Sequence, residues 1–370
     1  MRVLICGGGV IGASIACFMS ARGVETTVIE RTGVANAASG KSAGFLALDW
    51  CDGSPVEALA RRSFALHAEL ADKIDDDWGY RRLDTLDVVA SARRDVGIYR
   101  QLDSPGWLDG DTAVRARLGT TESTAQVDPA AFTKGMMRAA IANGAQLVMG
   151  NVTGLAFAGP GTAVRGVVVD DEEVEGDAVV VAMGPWSVLA CRWLPLPAVY
   201  GLKGHSLVFR YVPPVRPHAL FVELESETGA VASPEVIPRP DGTTYVCGLS
   251  SEAPLPVDPG QVAPDDGGCE KLRAMTARFA PELGGSEVLA AQACYRPVAQ
   301  DGLPLIGPIS GVDGAFVATG HGVWGMLNGP ATGEAVTELI VDGAARTVNL
   351  APFDPSRLAP LEATAVRAEA

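Results

Sequence analysis

The stretch RVLICGGGVIGASIACFMSARGVETTVIER, from Arg2 to Arg31, decides the fold of this chain. The apolar run from Val3 to Cys6 predicts a buried β-strand, and glycines follow it directly. Apolar residues then recur at helical spacing from Val10 to Arg22, and a second apolar run occupies Thr26 to Ile29. This order predicts a βαβ unit of a parallel sheet, in which a glycine turn joins the first strand to the helix.

The glycines of this turn, Gly7, Gly9 and Gly12, form the pattern G-x-G-x-x-G. Gly7 permits a sharp turn, Gly9 lets the backbone approach a pyrophosphate, and Gly12 lets helix and strand pack closely. The start of the helix offers free N–H groups to the phosphates. Glu30 lies 30 − 12 = 18 residues beyond Gly12, where a carboxylate accepts hydrogen bonds from ribose hydroxyls. The pattern therefore predicts a dinucleotide with a free 2′-OH, either FAD or NAD.

Three later segments favour FAD over NAD. The run ASGKSAG, residues 38–44, has small side chains that let backbone amides approach a large flat ligand. DAVVVAMGPWS, residues 177–187, is a buried strand followed by glycine and proline. GAFVATGHGVWGMLNGPATGEAVTELI, residues 314–340, is a strand, a glycine-rich turn and a helix. NAD needs one such turn, whereas the longer FAD needs several, so the repetition predicts FAD.

With these segments in view, the chain resembles the D-amino acid oxidase superfamily of FAD-dependent oxidoreductases, which includes glycine oxidase and monomeric sarcosine oxidase. The resemblance covers nearly the whole chain. It rests on GGGVIG with Glu30, AASGKSAG, VVVAMGPWS, RPVAQDGLPLIGP and ATGHGVWGMLNGPATGEAVTELI. The segments GLKGHSLVF, PEVIPRPDGTTYVCG and VNLAPFDPSR resemble more narrowly a subgroup of FAD-dependent oxidoreductases with undefined substrates.

The resemblance implies an α/β fold with two interleaved domains. A Rossmann-like domain binds FAD, and a mainly antiparallel β-sheet of α+β type covers the substrate as a roof. The short β-like runs HSLVFRYV, ALFVEL and TTYVCGL agree with such a roof. The predicted FAD-binding segments are residues 1–80, 123–199 and 293–360, the roof segments are 81–122 and 200–292, and 361–370 is a candidate disordered tail.

The resemblance also implies which residues contact FAD, most of them in or beside the glycine turns. They are Gly7, Gly9, Val10, Ile11, Gly12, Glu30, Arg31, Ala38, Ser39, Ser42, Ala43, Gly44, Val152, Gly184, Trp186, Cys294, Gly320, His321, Gly322, Gly325 and Met326. Around His321 we expect contact through the backbone rather than acid–base chemistry by the ring. No metal site is expected, because the histidines and carboxylates show no ligand spacing.

The stretch CYRPVAQDGLPLIG, residues 294–307, is expected to be an irregular turn beside the flavin, because proline and glycine disfavour regular structure. Cys294 lies 301 − 294 = 7 residues before Asp301. Sarcosine oxidase carries its covalent flavin on a cysteine at this spacing from the matching aspartate. Non-covalent FAD is the expectation for this chain, and a covalent link at Cys294 is the alternative.

Three residues are candidates for contact with the substrate. Arg296 lies 301 − 296 = 5 residues before Asp301, like the carboxylate-binding arginine of the glycine oxidase motif that it resembles. A planar guanidinium suits a carboxylate because it binds both oxygens at once. Tyr295 and Trp324 are further pocket candidates, with a place in the core as the alternative for each. In an extended segment the Tyr295 side chain points away from that of Arg296.

The family's chemistry implies an FAD-dependent amine or amino acid oxidase or dehydrogenase. A C–H next to nitrogen gives a hydride to flavin N5 and leaves an imine. A 2-hydroxy acid dehydrogenase is an alternative, with His205 or His321 as the base, and a flavin-fold protein without catalysis is another. Oxidase activity, which yields hydrogen peroxide, is left open. Ser250 stands where sarcosine oxidase has a lysine near the flavin, and Lys41 or Lys203 are the substitutes.

Composition limits the partners. The chain has 370 residues and a net charge of −15, which argues against nucleic acid or an anionic membrane surface. The charge does not forbid an anionic small ligand, and the resemblance implies a small substrate that bears a carboxylate. The apolar runs are too short to span a bilayer, and no signal peptide is expected from the start of the sequence. Seven scattered cysteines without a CxxC pair predict a reducing, cytoplasmic location. An oligomer is left open.

Overall fold

The computed structural model describes residues 1–109, 111–159 and 162–363, so most of the predicted tail at 361–370 lies outside the described residues. The helices and strands are, in chain order, β1 (Arg2–Cys6), α1 (Val10–Ala21), β2 (Glu25–Glu30), α2 (Ala38–Lys41), β3 (Phe45–Ala47), α3 (Glu57–Lys73), β4 (Arg81–Arg82), β5 (Asp84–Ser91), β6 (Thr112–Gly119), β7 (Thr124–Gln126), α4 (Pro129–Ala142), β8 (Gln146–Met149), β9 (Val152–Phe157), β10 (Val164–Val169), β11 (Glu172–Glu175), β12 (Ala178–Val181), β13 (Val199–Phe209), β14 (His218–Glu225), β15 (Val231–Ala232), β16 (Glu235–Pro238), β17 (Thr244–Ser251), α5 (Gly268–Phe279), α6 (Pro281–Gly285), β18 (Val288–Ala299), β19 (Leu305–Pro308), β20 (Ala315–Thr319) and α7 (Gly325–Asp342).

A six-stranded sheet holds the predicted βαβ unit. Its strand order is β19-β20-β12-β1-β2-β8, and every pair is parallel except β19 with β20. Strand β12 is buried along its whole length, as expected for a parallel strand covered on both faces. Helix α1 packs between α4 and α7 over this sheet, and their apolar residues form one core cluster. The sequence prediction of a Rossmann-like α/β sheet is confirmed.

An eight-stranded sheet forms the roof. Its order is β18-β13-β17-β16-β14-β5-β6, with β15 added beside β14, and β14–β5 is its only parallel pair among the described strands. One face packs against α5 and α6 through residues such as Phe209, Leu272 and Phe279. The opposite face looks toward the glycine turns of the six-stranded sheet. The predicted mainly antiparallel sheet is confirmed.

The stretch from Cys294 to Ala299 corrects one expectation. It is not an irregular turn but the second half of strand β18, which pairs with β13 from Val288 to Ala299. Proline is tolerated at Pro297 because β18 is the edge strand of the roof, where a missing N–H costs little. The turn comes later, after Ala299, and strand geometry therefore governs the direction of each side chain before it.

Two three-stranded sheets complete the fold, one of β11-β10-β9 and one of β3-β7-β4. The strands of the six-stranded sheet come from residues 2–30, 146–181 and 305–319, and those of the roof from 84–119 and 199–299. The division into two domains at the stated residues stays a prediction. Within the described residues we find no helix whose length and apolar character would carry it across a bilayer.

Candidate cofactor and substrate site

A large cavity separates the six-stranded sheet from the roof. It holds about 1680 Å³ of space between protein atoms, counted up to its open mouth. Its floor comes from the turns that follow β1, β2, β12 and β20, and its ceiling from β13, β16, β17 and β18. The lining runs from the turn after β1 on the floor to β18 in the ceiling, so a long ligand can lie along the floor with a second molecule beneath the ceiling.

The turn after β1 is built so that only glycine fits. Gly7 has a φ of +113°, and a Cβ there would lie 2.5 Å from the carbonyl oxygen of Ala182. A Cβ on Gly12 would lie 2.0 Å from the carbonyl oxygen of Gly7. The first residues of α1, with Gly9, therefore line the cavity with bare backbone at a helix N-terminus, which is the cradle that a pyrophosphate requires.

Glu30 ends β2 at the far side of this cradle. Its carboxylate accepts hydrogen bonds from the Gly8 amide at 2.6 Å, the Thr32 amide at 2.8 Å and the Gly33 amide at 3.2 Å, and from the Thr32 hydroxyl at 3.1 Å. These donors hold the carboxylate at the cavity wall, where it can accept further hydrogen bonds from ribose hydroxyls.

The segment of small residues after β2 is held by both walls. The hydroxyl of Ser39 accepts a hydrogen bond from the Val10 amide at 2.9 Å, which ties the segment to the start of α1. From the roof, Tyr245 donates to the Lys41 carbonyl at 3.0 Å and Arg239 donates to the Ser42 carbonyl at 3.1 Å. Neither Tyr245 nor Arg239 stood out in the sequence, because their contacts join segments about 200 residues apart.

Two buried polar atoms at the cavity lack partners among the described residues, the Ser42 hydroxyl oxygen and the His321 Nδ1. Leaving such atoms unpaired costs about 1–3 kcal/mol each, so a ligand that bonds to them is favoured. Together with the glycine cradle, they fit a long polar ligand such as FAD. The other ring nitrogen of His321 bonds to the Thr332 hydroxyl at 3.0 Å, and burial lowers the pKa of His321 to about 3.

The start of α7 lines the cavity with Gly325 and Met326, and it is supported from below by α3. Pro330 lies inside α7, and its missing N–H leaves the Met326 carbonyl without the usual helix donor. His67 Nε2 lies 3.0 Å from that carbonyl and 3.2 Å from the carbonyl of Leu327. Burial lowers the pKa of His67 to about 4, so the ring is neutral at pH 7 and donates through Nε2.

Helix α3 contacts the next turn of α7 as well. The Ala331 amide, whose usual helix partner is the Leu327 carbonyl, donates to the Ser63 hydroxyl at 3.0 Å. Ser63 and His67 are one helical turn apart on α3, so a single face of α3 supplies hydrogen-bond partners to the backbone of α7 around Pro330. Sequence reasoning missed this pair. The proline four residues beyond a cavity-lining position was the signal that an outside donor is needed.

The ceiling presents alternate residues of paired strands. Cys294 and Arg296 lie on the same face of β18, and both line the cavity. A Cβ on Gly204, in the neighbouring strand, would lie 3.2 Å from the Arg296 guanidinium, so the missing side chain leaves room for it. Arg296 donates to the Ser250 hydroxyl at 3.3 Å and forms no salt bridge within the described part of the chain.

Tyr295 lies on the opposite face of β18, as expected for a strand. It is 2% exposed, its hydroxyl donates to the Pro254 carbonyl at 2.6 Å, and the Lys203 ammonium lies 5.8 Å from its ring centre. Lys203 itself pairs with Asp265 there, so it is held away from the cavity. Neither side chain lines the cavity, and this placement gives no support to the catalytic role predicted for Tyr295.

The predicted cofactor residues come together with few exceptions. Those that line the cavity are Gly7, Gly9, Val10, Ile11, Glu30, Arg31, Ala38, Ser39, Ser42, Ala43, Val152, Gly184, Trp186, Cys294, His321, Gly322, Gly325 and Met326. Gly12, Gly44 and Gly320 lie behind the wall. Trp324 does not line it either, and its ring meets that of Trp50 at 6.3 Å.

Glu235 is the ceiling residue that sequence reasoning missed. It is partly buried at the start of β16 and lines the cavity. Desolvation raises the pKa of its carboxyl, and the Arg296 charge acts in the opposite direction. The available signal was an acid two residues before Ile237, an apolar residue that is fully buried, because side chains two apart in an extended segment share a face.

The comparisons with known proteins agree with this geometry. A family model described as FAD dependent oxidoreductase, DAO, matches residues 2–339. A protein of Schizosaccharomyces pombe, named as an inferred oxidoreductase, is 32% identical over 384 residues, 96% of this chain and 97% of that one. Glycine oxidase of Pseudomonas aeruginosa is 27% identical, over 96% of this chain and 98% of that one. The structure of glycine oxidase from Geobacillus kaustophilus matches with a TM-score of 0.80 and 25% identity, covering 96% of this chain and 99% of that one.

Proposed function

Because this chain belongs to the DAO family of FAD-dependent oxidoreductases, we propose that it oxidises a C–N bond of a small amino acid or secondary amine to an imine. Glycine oxidases are among its relatives, which supports an amino acid as the substrate. When bound, FAD supplies the acceptor for the hydride that leaves the carbon next to nitrogen. The protein's part is to hold the cofactor, orient the substrate and set its charge.

The observation that carries the proposal is the free guanidinium of Arg296 in the cavity. In the described residues, several other arginines are paired with carboxylates, for example Arg62 with Glu334 and Arg115 with Asp87. By contrast, the one side-chain partner of Arg296 within the described ranges is the Ser250 hydroxyl. A cation in a cavity wall without a charged partner is suited to an anionic ligand, and its planar fork matches a substrate carboxylate.

The residues that would hold FAD follow from the floor. The Gly7–Gly12 turn with the start of α1 would bind the pyrophosphate, and Glu30 would bind the adenosine ribose. The Ser42 hydroxyl and the turn at His321 would bind polar edges of the flavin end. All of these contacts use backbone amides or neutral groups except Glu30, in keeping with a cofactor held tightly in one orientation.

We further propose that the flavin is not linked covalently to Cys294. Its thiol lines the cavity, but burial raises the pKa of Cys294, which works against the thiolate that such attachment requires. Precipitation with acid tests this directly. The yellow colour is expected to stay in the supernatant, and colour that remains in the pellet would show a covalent bond.

The two histidines do not support a 2-hydroxy acid dehydrogenase. His321 is buried with a pKa near 3, which makes it a poor base for a hydroxyl at neutral pH. His205 uses both ring nitrogens inside the roof: Nδ1 donates to the Leu249 carbonyl at 3.2 Å, and Nε2 accepts from the Asp265 amide at 3.0 Å. His205 therefore has no free ring nitrogen, and the unpaired Nδ1 of His321 belongs to a ring whose pKa is too low for this task.

Anaerobic reduction of the bound flavin against a substrate panel tests the proposal. The panel contains glycine, N-methylglycine, proline, alanine of both hands and the matching 2-hydroxy acids. We expect bleaching of the flavin band by one or more amines and none by the hydroxy acids. Bleaching by hydroxy acids alone would overturn the proposal. The reoxidation rate in air, compared with that by an artificial acceptor, then separates an oxidase from a dehydrogenase.

A further inference from the structure

A carboxyl group projects into the cavity from an otherwise apolar part of the ceiling. Glu235 stands opposite Cys247 in the pairing of β16 with β17. The cluster on this face of the roof contains Ile237, Tyr245, Cys247 and Val208, all buried. An acid at such a position lowers the stability of the protein unless it accepts hydrogen bonds or pairs with a cation. Its presence therefore indicates a ligand that supplies such a partner.

The bonding of Glu235 is incomplete. Within the described part of the chain its one hydrogen bond comes from the Cys247 thiol at 3.6 Å, a weak donor, and it has no salt bridge. Glu30, the other acid in the cavity wall, is held by four donors in the same structure. Glu30 therefore stabilises the turn around it, whereas Glu235 keeps the capacity to accept hydrogen bonds from a ligand.

Arg296 lies close enough for its charge to affect Glu235, yet the two do not form a salt bridge. Among the described residues, the ceiling therefore holds a cation and an acid that each lack a charged partner, and the two groups do not satisfy each other. A ligand with a carboxylate beside an amine bridges such a pair and satisfies both groups at once.

Resting on the function proposed above, we propose that Glu235 binds the amine nitrogen of the substrate while Arg296 binds its carboxylate. The site then selects zwitterionic amino acids over carboxylates that lack an amine. As a carboxylate, Glu235 accepts a hydrogen bond from the substrate ammonium and takes one proton from it. Glu235 becomes the neutral acid, and the amine is left with the free electron pair that drives the hydride from the adjacent carbon.

Desolvation supports this role, because it favours the neutral acid and so makes the Glu235 carboxylate a stronger base than an ordinary glutamate. Cys247 stabilises the charged form only weakly through its thiol. The same reasoning explains the absence of a closer cation, since a salt bridge would hold Glu235 as a carboxylate and lower its basicity.

Glu235→Gln tests the inference, because it keeps the shape and removes the acid. We expect full FAD content but a reduction rate at pH 7 about 100-fold lower, the size of a lost general base. Its rate should then rise about tenfold per pH unit up to the pKa of the substrate amine, because only amine already neutral in solution reacts. Glu235→Asp should recover part of the rate. The control is Glu252→Gln, an exposed acid of the roof, which should behave as wild type.

A binding experiment separates this inference from the function on which it rests. Acetate and N-methylglycine are titrated into the oxidised holoenzyme, and the flavin spectrum reports binding. Wild type should prefer N-methylglycine over acetate, and Glu235→Gln should lose the preference while still binding acetate at least as well as wild type. If Glu235→Gln prefers N-methylglycine over acetate as strongly as wild type does, or if its pH profile of flavin reduction is that of wild type, the role of Glu235 is overturned. If no amine reduces wild-type flavin, the proposed function fails, and the binding preference still decides the role of Glu235.

Discussion

The floor and the ceiling of the cavity are built by different means. The floor is backbone: glycine turns and helix starts, with contacts such as Gly12 against Gly7 that depend on residues a few positions apart. The ceiling is side chains: Glu235, Cys294 and Arg296 come from two strands whose segments lie about 60 residues apart and meet only through sheet pairing. A backbone wall suits a cofactor shared by a whole family, whereas a side-chain wall can change its substrate one residue at a time.

The largest expected effect is on the floor, where no side chain can be accommodated. Gly12→Ala places a Cβ 2.0 Å from the Gly7 carbonyl oxygen, which forces the cradle open. We expect loss of bound FAD and a destabilisation of about 3 kcal/mol, measured by flavin absorbance and urea unfolding. Gly285→Ala is the control, since a Cβ there meets nothing within 4 Å. A yellow, stable Gly12→Ala protein would show that the floor tolerates side chains.

The next effect is on the ceiling and should leave the cofactor in place. Arg296→Leu removes the free guanidinium, and KM for a carboxylate substrate should rise about 100-fold, equivalent to ~3 kcal/mol. FAD content should stay at the wild-type level, because Arg296 makes no contact that holds the floor. The KM of Arg296→Lys should lie between those of wild type and Arg296→Leu, since lysine keeps the charge but lacks the planar guanidinium. An unchanged KM in the leucine variant would remove the carboxylate assignment.

The smallest effect tests the support beneath the floor. His67→Ala removes the ring nitrogen that lies 3.0 Å from the Met326 carbonyl and 3.2 Å from the Leu327 carbonyl, which we expect to cost about 2 kcal/mol in urea unfolding. Pro330→Ala restores an N–H for the Met326 carbonyl. Pro330→Ala should therefore stabilise the protein more when combined with His67→Ala than by itself. Strictly additive free energies in this double-mutant cycle would mean that His67 does not replace the missing helix bond.

The sequence predicted the floor well because its physics is local. The spacing of Gly7, Gly9 and Gly12 and the acid at Glu30 are constraints that act within one βαβ unit, and the structure confirms the strand, helix and strand around them. The six-stranded and eight-stranded sheets were also predicted in kind, because apolar runs and breaks reveal buried and antiparallel strands.

The ceiling was harder to predict because pairing outweighs local preference. Proline and glycine suggested an irregular turn over residues 294–307, yet pairing with β13 makes Cys294–Ala299 part of a strand. The same pairing turns Tyr295 toward Pro254 and leaves Arg296 in the cavity. Glu235 and His67 carry no motif at all, and their importance appears only when β16 meets β17 and α3 meets α7.

The sequence by itself determined the α/β class and the dinucleotide cradle, because each depends on residues close together in the chain or on a pattern of buried strands. The candidate arginine came from the resemblance to the glycine oxidase motif. Only the tertiary structure decided which face of β18 meets the cavity, which acid shares it with Arg296, and which histidine holds α7 together across Pro330. The reason is physical: strand pairing brings side chains from distant segments to one cavity wall, so no single segment determines the polarity of that wall.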